Sequence, residues 1–267
     1  MRTLSRELAA LWRGRSLAWL LARRDLATRH AAAAGGIAWA YVQPLLVVAA
    51  YYLLFDVVFS MRVGDAGGRG KPAGQFLIVG ALAWMAFSDA LSRGMNSLLE
   101  AGSLLQKNAL PAVLFPARAV LSSGIVYLPL FVVVACIYAA THGLPLAVAA
   151  VVPLLLMQLV LSFILGYLLA ILAAALRDTV QIVTFFLSVG IFLSPVLFPL
   201  SMFPEAWRWV LWLNPMTPLV VGYQAILLDA QWPPLLCWVV PLAWIAGAAA
   251  LVDLVLARCS EQLVDWL

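Results

Sequence analysis

Gln181–Gln224 reads QIVTFFLSVGIFLSPVLFPLSMFPEAWRWVLWLNPMTPLVVGYQ. It starts as an apolar helix, breaks at Ser194-Pro195 and Pro199, and passes through a short amphipathic piece around Glu205, Trp207, Arg208 and Trp212. It breaks again at Asn214-Pro215 and Pro218 before apolar sequence resumes. Proline removes a backbone donor and clashes with the preceding turn. A broken helix at membrane depth therefore persists only where protein or a water-filled cavity satisfies the freed backbone groups. The stretch predicts a re-entrant segment at the extracytoplasmic mouth of a conduit. The alternative is an interfacial loop anchored by its Trp residues, as in aromatic belts.

The chain around it carries a membrane composition. Of 267 residues, 65% are hydrophobic and 10% charged, with mean hydropathy +1.02, outside the range of soluble domains. The net charge of +4 comes without a basic stripe interleaved with aromatics, which argues against nucleic acid as a partner. Cys136, Cys237 and Cys259 have no paired spacing, so neither a disulfide framework nor a metal site is indicated. Gly70-Lys71 is followed by Pro72, and Asp65 stands where a phosphate-binding loop needs its first Gly. Nucleotide hydrolysis would have to come from another chain.

Upstream, residues 1–34 hold seven Arg. Leu4, Leu8, Leu11 and Trp12, then Leu17, Leu20 and Leu21, fall on helical faces, and Arg6, Arg13, Arg23 and Arg29 on others, which suits helices lying in the inner interface. A solvated basic tail is the alternative. The apolar run Leu17–Ala22 is too short and too closely flanked by charge for a signal peptide. The first span, Gly36–Ser60, carries Trp39, Tyr41, Tyr51, Tyr52, Phe55 and Phe59, with a kink expected at Pro44 and Asp56 either pore-facing or interfacial. A Gly-rich loop to Gly74 follows outside. The second span, Gln75–Leu99, places Asp89 and Arg93 at i,i+4, which reads as a self-contained ion pair. Glu100–Pro116 is polar enough to leave the bilayer and predicts a short helical turn between Gly102 and Pro111.

Spans three (112–139) and four (146–175) form a hairpin. Ser162, Gly166, Ala170 and Ala174 repeat every four residues in span four, a small-residue stripe for close helix packing. Span five follows Arg177-Asp178, and span six runs from Leu235 to Leu256 with a second small pair, Ala243 and Gly247. Inner segments hold Arg2 through Arg29, Lys107, Arg177 and Arg258; outer segments hold Arg62, Arg69, Lys71 and Arg208. That asymmetry predicts both termini in the cytoplasm. The expected fold is an all-α polytopic membrane protein of six transmembrane helices. Residues 1–34 form its interfacial amphipathic part, 35–258 the bundle and 259–267 a cytoplasmic tail, all in one domain.

Several motifs together resemble one family. RDLATRH (24–30) followed by GIAWAYVQPLL (36–46) is similar to the opening of type-2 ABC exporter permeases for polysaccharides, with His30 in place of the usual Tyr. VGALAWMAFSDALSRGMNSL (79–98) followed by LLQKNALPAVLFP (104–116) resembles that family's second span and coupling helix. Arg177-Asp178, Ser194-Pro195 with Pro199, and Asn214-Pro215 resemble its second half. The match runs over roughly residues 20 to 230, and its opening looks closer to the O-antigen and teichoic acid permeases than to the capsule branch.

The resemblance implies a half-transporter that forms a homodimer and pairs with a separate ABC ATPase. ATP and Mg would sit on that partner, so this chain needs no catalytic residue, metal or cofactor of its own. Ser103, Leu104, Leu105, Gln106, Lys107, Asn108, Leu110 and Pro111 would be the cytoplasmic coupling helix. Arg23, Arg24, Asp25 and Arg29 would lie where a lipid-linked polysaccharide brings its pyrophosphate among the membrane lipids, since the guanidinium fork suits phosphate. Tyr51, Tyr52, Phe55, Phe185, Phe186 and Phe192 would line a channel on which sugar rings slide. Pro195, Pro199, Trp207, Trp212, Asn214 and Pro215 would gate its outer mouth. The location implied is the bacterial inner membrane. A permease for a drug or small lipid, a membrane-embedded enzyme and an assembly subunit remain the alternatives. His30 and His142 lie outside the spans, and Asp56, Asp89 and Arg93 lie at different depths, so no acid/base set converges.

Overall fold

The computed structural model describes residues 2–29, 33–60, 62–63, 71–107, 110–142 and 146–259. Asn108, His30, the loop 64–70 and the tail from 260 onward lie outside the described residues. An amphipathic helix, α1 (Arg2–Arg13), and a second, less segregated one, α2 (Arg15–Arg29), precede α3 (Ala38–Tyr51), which loosens into a π-helix over Tyr52–Val58. A two-residue antiparallel ladder, β1 (Arg62–Val63) with β2 (Lys71–Pro72), leads into α4 (Ala73–Lys107). Then come α5 (Leu114–His142), α6 (Val151–Ala175) with a 3-10 turn over Leu146–Ala150, α7 (Asp178–Gly190), α8 (Arg208–Trp212), α9 (Thr217–Asp229) and α10 (Leu236–Cys259).

Five of these helices are long and apolar enough to span a membrane, or six if α8 and α9, bent by 104°, count as one. The boundaries differ from expectation at two places. α4 has no proline and no helix-stopping turn, so its 35 residues continue through Ser103–Lys107 as one rod. The expected separate turn is the last part of that helix. The expected fifth span, α7, stops after 13 residues, about 20 Å at 1.5 Å per residue and short of a hydrocarbon core of roughly 30 Å. Pro195 explains the stop: it disfavours helical backbone at Ser194, and turns take over from Ile191.

α4 and α6 form the spine. Gly94 and Gly166 meet there, and a Cβ built on Gly94 would lie 3.1 Å from the Gly166 Cα. The small-residue stripe predicted in span four is buried throughout. A second close approach puts Gly80 of α4 against Val196, where an added Cβ would lie 3.0 Å from the Val196 Cα. α9 completes the core with Leu219, Val220 and Tyr223 fully buried. The expected pairing through Ala243 and Gly247 does not occur within the protomer: both are exposed, and the buried face of α10 runs through Cys237, Pro241, Ala248, Val252 and Leu256.

Candidate functional site

At the end carrying α1 and α2, charged side chains tie the surface helices to the bundle. α1 has Leu4 in the core, and Asp253 of α10 accepts the free backbone N–H groups of Thr3 (3.0 Å) and Leu4 (2.8 Å). A carboxylate at a helix N-terminus satisfies orphan donors and opposes the helix dipole favourably. Tyr167 of α6 donates to Glu7 at 3.2 Å. α2 presents Ala18, Ala22 and Leu26 to α5, an i,i+4,i+8 face of small and apolar residues.

Asp25 is the centre of a charge cluster between α2, α4 and α5. Its Oδ2 accepts from Arg29 at 3.0 Å, from Ser122 at 2.9 Å and from Arg93. Arg29 and Arg93 also donate to the Ser122 hydroxyl, at 2.6 and 3.1 Å. The self-contained Asp89–Arg93 pair is thereby corrected. Arg93 Nε lies 3.9 Å from Asp89, beyond hydrogen-bonding distance, while the guanidinium binds Asp25 and Asp89 accepts from Ser123. Spacing shows the neighbours on one helix but not the better partner that another helix brings. Of the predicted interfacial set, Asp25 and Arg29 belong to this cluster, and Arg23 and Arg24 are exposed.

Below the cluster, α4 ends in the predicted coupling stretch. Ser103, Leu104, Gln106 and Lys107 are exposed, Leu105 is buried, and Leu110 and Pro111 are half-buried on the return to α5. Arg118 of α5 reaches Glu100 of α4 at 3.2 Å and lies 5.7 Å over the Phe115 ring, which braces this hairpin.

The predicted aromatic set divides between two helices with different neighbours. Tyr51 packs against the core and lies 6.2 Å from Phe55, and Tyr52 is exposed. α3 packs on α4 and α5. Phe185, Phe186 and Phe192 are exposed on and just beyond α7, which packs on α4 and α6. Asp56, a pore-facing candidate, receives the Gly74 N–H at 2.7 Å and so caps the start of α4. Tyr52 and Asp56 border a polar depression of about 280 Å³ with Ser60, Arg62, Pro72 and Gln75.

The predicted gate residues are likewise of two kinds. Pro195 is buried, its carbonyl accepting from Gln224 at 2.8 Å, and Asn214 donates to Gly190 and Leu193 carbonyls at 3.3 Å each. The Asn214 side-chain Oδ1 accepts from Met216 N–H at 2.9 Å, closing a turn around Pro215 that leads into α9. Pro199 and Trp212 are half-buried, and Trp207 is exposed. Arg208 bridges this segment, donating to Phe203 and Ser201 carbonyls and pairing with Glu205 at 3.3 Å. Behind α7 lies an apolar cleft of about 430 Å³, walled by α4, α6 and the Leu213–Pro215 corner.

The sequence pattern of the ABC-2 type transporter family matches residues 16–228, most of the chain. The chain belongs to that family. It is 31% identical over 228 residues to the O-antigen export system permease protein RfbA of Myxococcus xanthus, covering 84% of both chains. It is 22% identical over 214 residues to the protein of the same name from Klebsiella pneumoniae, covering 79% of both. An ABC-2 type transporter is a multi-pass permease, in keeping with the apolar helices seen here.

Sequence reading missed three features of this ABC-2 chain. Ser122-Ser123 supply the cluster's hydroxyls; two polar residues beside Gly124 in an apolar run were the available signal. Gln158 donates to the Ala83 carbonyl at 3.0 Å and accepts from Tyr223 at 2.8 Å, fixing α9 to α4 and α6. Gln158 is an isolated amide in an apolar span, which already calls for a partner. Asp253, alone in the last span, is the third.

Proposed function

We propose that this chain is the membrane subunit of an ATP-driven exporter that moves a lipid-linked polysaccharide, of O-antigen or teichoic-acid type, across the bacterial inner membrane. The observation that carries this reading is the similarity to an O-antigen export permease across 84% of both chains. Two copies pair with two copies of an ABC ATPase, which binds ATP and Mg. The exposed tip Ser103–Lys107 supports the ATPase contact: α4 runs from it unbroken to the other end of the bundle. Both termini lie in the cytoplasm, as the distribution of Arg and Lys favours.

The homodimer accounts for α3 and α7. Only 6% of the apolar window of α3 is buried inside the protomer, and Phe185 and Phe192 are 63% and 61% exposed. A second copy turns these faces towards one another as an aromatic channel. Sugar rings present apolar C–H faces to such walls while their hydroxyls stay hydrated. The polar depression beside Tyr52 favours a glycan over a purely apolar cargo. Arg29 is held by Asp25 and Ser122, so the exposed Arg23 and Arg24 receive the pyrophosphate. Trp207, Trp212 and Pro199 gate the outer mouth, with Pro195, Asn214 and Pro215 as its fixed footing.

The test is to co-purify the chain with its cassette ATPase and follow ATP-dependent movement of lipid-linked glycan in inverted vesicles, for the parent and for Lys107→Ala. Co-purification with glycan movement, and loss of coupling in the variant, is expected. Absence of any ATPase partner would sink the exporter reading. Movement of a free hydrophobic compound in place of glycan would transfer the chain to the drug or small-lipid branch.

A further inference from the structure

We propose that the cleft behind α7 is a binding site for one acyl chain of a bilayer phospholipid. This goes beyond the export reading and does not depend on which cargo is moved. The cleft holds about 430 Å³. Apolar cavities of ~150 Å³ stay dry and take up benzene, so this one accommodates a hydrocarbon segment several times that size. Its back wall is Phe87 and Leu91 of α4 with Leu168 and Leu169 of α6, and its front wall is Val183 and Leu187 of α7.

The lining offers water little to bind. Apart from the indole N–H groups of Trp84 and Trp244, its one polar side chain is Asn214, whose amide nitrogen already serves the Gly190 and Leu193 carbonyls and whose side-chain oxygen takes the Met216 N–H. A hydrated glycan would leave most of its hydroxyls without partners there. A helix of a second copy is about 10 Å across, too thick for a space of this volume closed by packed helices at the back. The rim decides the occupant. Phe186, Leu213 and Trp244 are 61%, 59% and 38% exposed, and past Trp244 the cleft opens on the outer apolar surface of α10, which also exposes Leu242, Leu251 and Leu254. α10 is long enough to span the hydrocarbon core, so this side, apart from the Phe185 and Phe192 face given to the second copy, meets acyl chains.

The occupant has a structural consequence. α7 is pinned at its Gly190 end by Asn214, while along Val183–Leu187 it borders the cleft, with Leu187 also touching the core. The acyl chain supplies the missing packing and sets how far α7 stands from α4 and α6.

The test uses the full chain in nanodiscs of phosphatidylethanolamine and phosphatidylglycerol, doped with a phosphatidylethanolamine carrying a diazirine midway along one acyl chain. Photolysis and peptide mass spectrometry read the labelled residues. The expected result is labelling of 165–169 and 183–187 several-fold above that of the exposed α5 segment 132–137, which is not assigned to the channel. Filling the cleft by Leu169→Trp or, separately, Leu187→Phe lowers the cleft signal at least fivefold and leaves 132–137 unchanged, in protein that remains monodisperse. Cleft labelling no higher than at 132–137 would overturn the proposal. Modification of Leu169→Cys or Leu187→Cys by an impermeant thiol reagent, above the parent background, would overturn it in favour of an aqueous conduit. Disulfide bonding between two copies through Leu187→Cys would assign the cleft to the dimer instead. Displacement of the label by added polyprenyl phosphate at equimolar dose would assign it to the cargo's tail.

Discussion

α4, and α3 together with its π-helical continuation to Val58, are both apolar and of spanning length, yet 67% of the apolar window of the first is buried within the protomer against 6% for the second. The difference is carried by side-chain size and polar pairing. α4 brings Gly80 and Gly94 to close approaches, and buried amide and hydroxyl bonds fasten its partners α6 and α9. α3 and α7 have fewer such ties, chiefly Tyr41 donating to the Ile125 carbonyl and Gly190 lying against Trp84, and they offer Tyr52, Phe185 and Phe192 outward. Within lipid, apolar side chains gain little from packing on one another, so close contact and interhelical hydrogen bonds decide which helices adhere. One set of helices is therefore a self-sufficient scaffold. The other is completed by whatever meets its outer face, where the proposed channel would lie.

Changes in the scaffold should act on stability first. Gly166→Leu should have the largest effect, because the added side chain points at the Gly94 backbone and no flexible neighbour can yield. A loss at the upper end of the ~1–3 kcal/mol typical of overpacking is expected, seen as a lower melting temperature or a failure to purify monodisperse protein. Asp25→Ala should follow. It leaves the Arg93 guanidinium facing only Ser122 and Asp89, and the cost should be about 2 kcal/mol, below that of a fully buried pair because the two side chains keep 16% and 19% exposure. The double variant Asp25→Ala, Arg93→Ala should cost less than the sum of the singles, which a double-mutant cycle on thermal unfolding would read. Tyr223→Phe removes the bond to Gln158 and should cost about 1 kcal/mol.

The scaffold was only partly legible in sequence. The span order and the small-residue stripe at Ser162–Ala174 follow from periodicity, which a single chain displays. The partner of Arg93 does not: the nearest opposite charge along the helix is Asp89, and only folding brings in Asp25, 68 residues away. Likewise the proline pattern of 181–224 gave the breaks but not their depth. Asn214 and Pro195 turned out to be anchored inside the protomer, although they lie in the same motif as the exposed Trp207. Proline and asparagine signal a turn wherever it lies. What lines a channel between two copies is harder still, since helix rotation is fixed by packing that one chain does not contain.

The smallest effect on stability should come from the α7 face, and it is the one that divides the two regions. Phe185 is 63% exposed and contacts Phe186 edge-on at 6.0 Å, so Phe185→Ala removes little buried area. Its melting temperature should shift by less than the equivalent of ~0.5 kcal/mol, as for most changes away from a core. Glycan export should nevertheless fall severalfold, while ATP hydrolysis by the assembled complex continues, because a wall contact has been lost and not a fold. Phe192→Ala should behave alike, and Tyr223→Phe in the reverse sense, with stability reduced and export per folded complex retained. If Phe185→Ala lowers the melting temperature as much as Tyr223→Phe does, α7 is scaffold after all and its exposed ring is covered in the working protein by packing. If neither α7 variant alters export, the sliding surface lies elsewhere, and the face of α7 serves only to meet lipid.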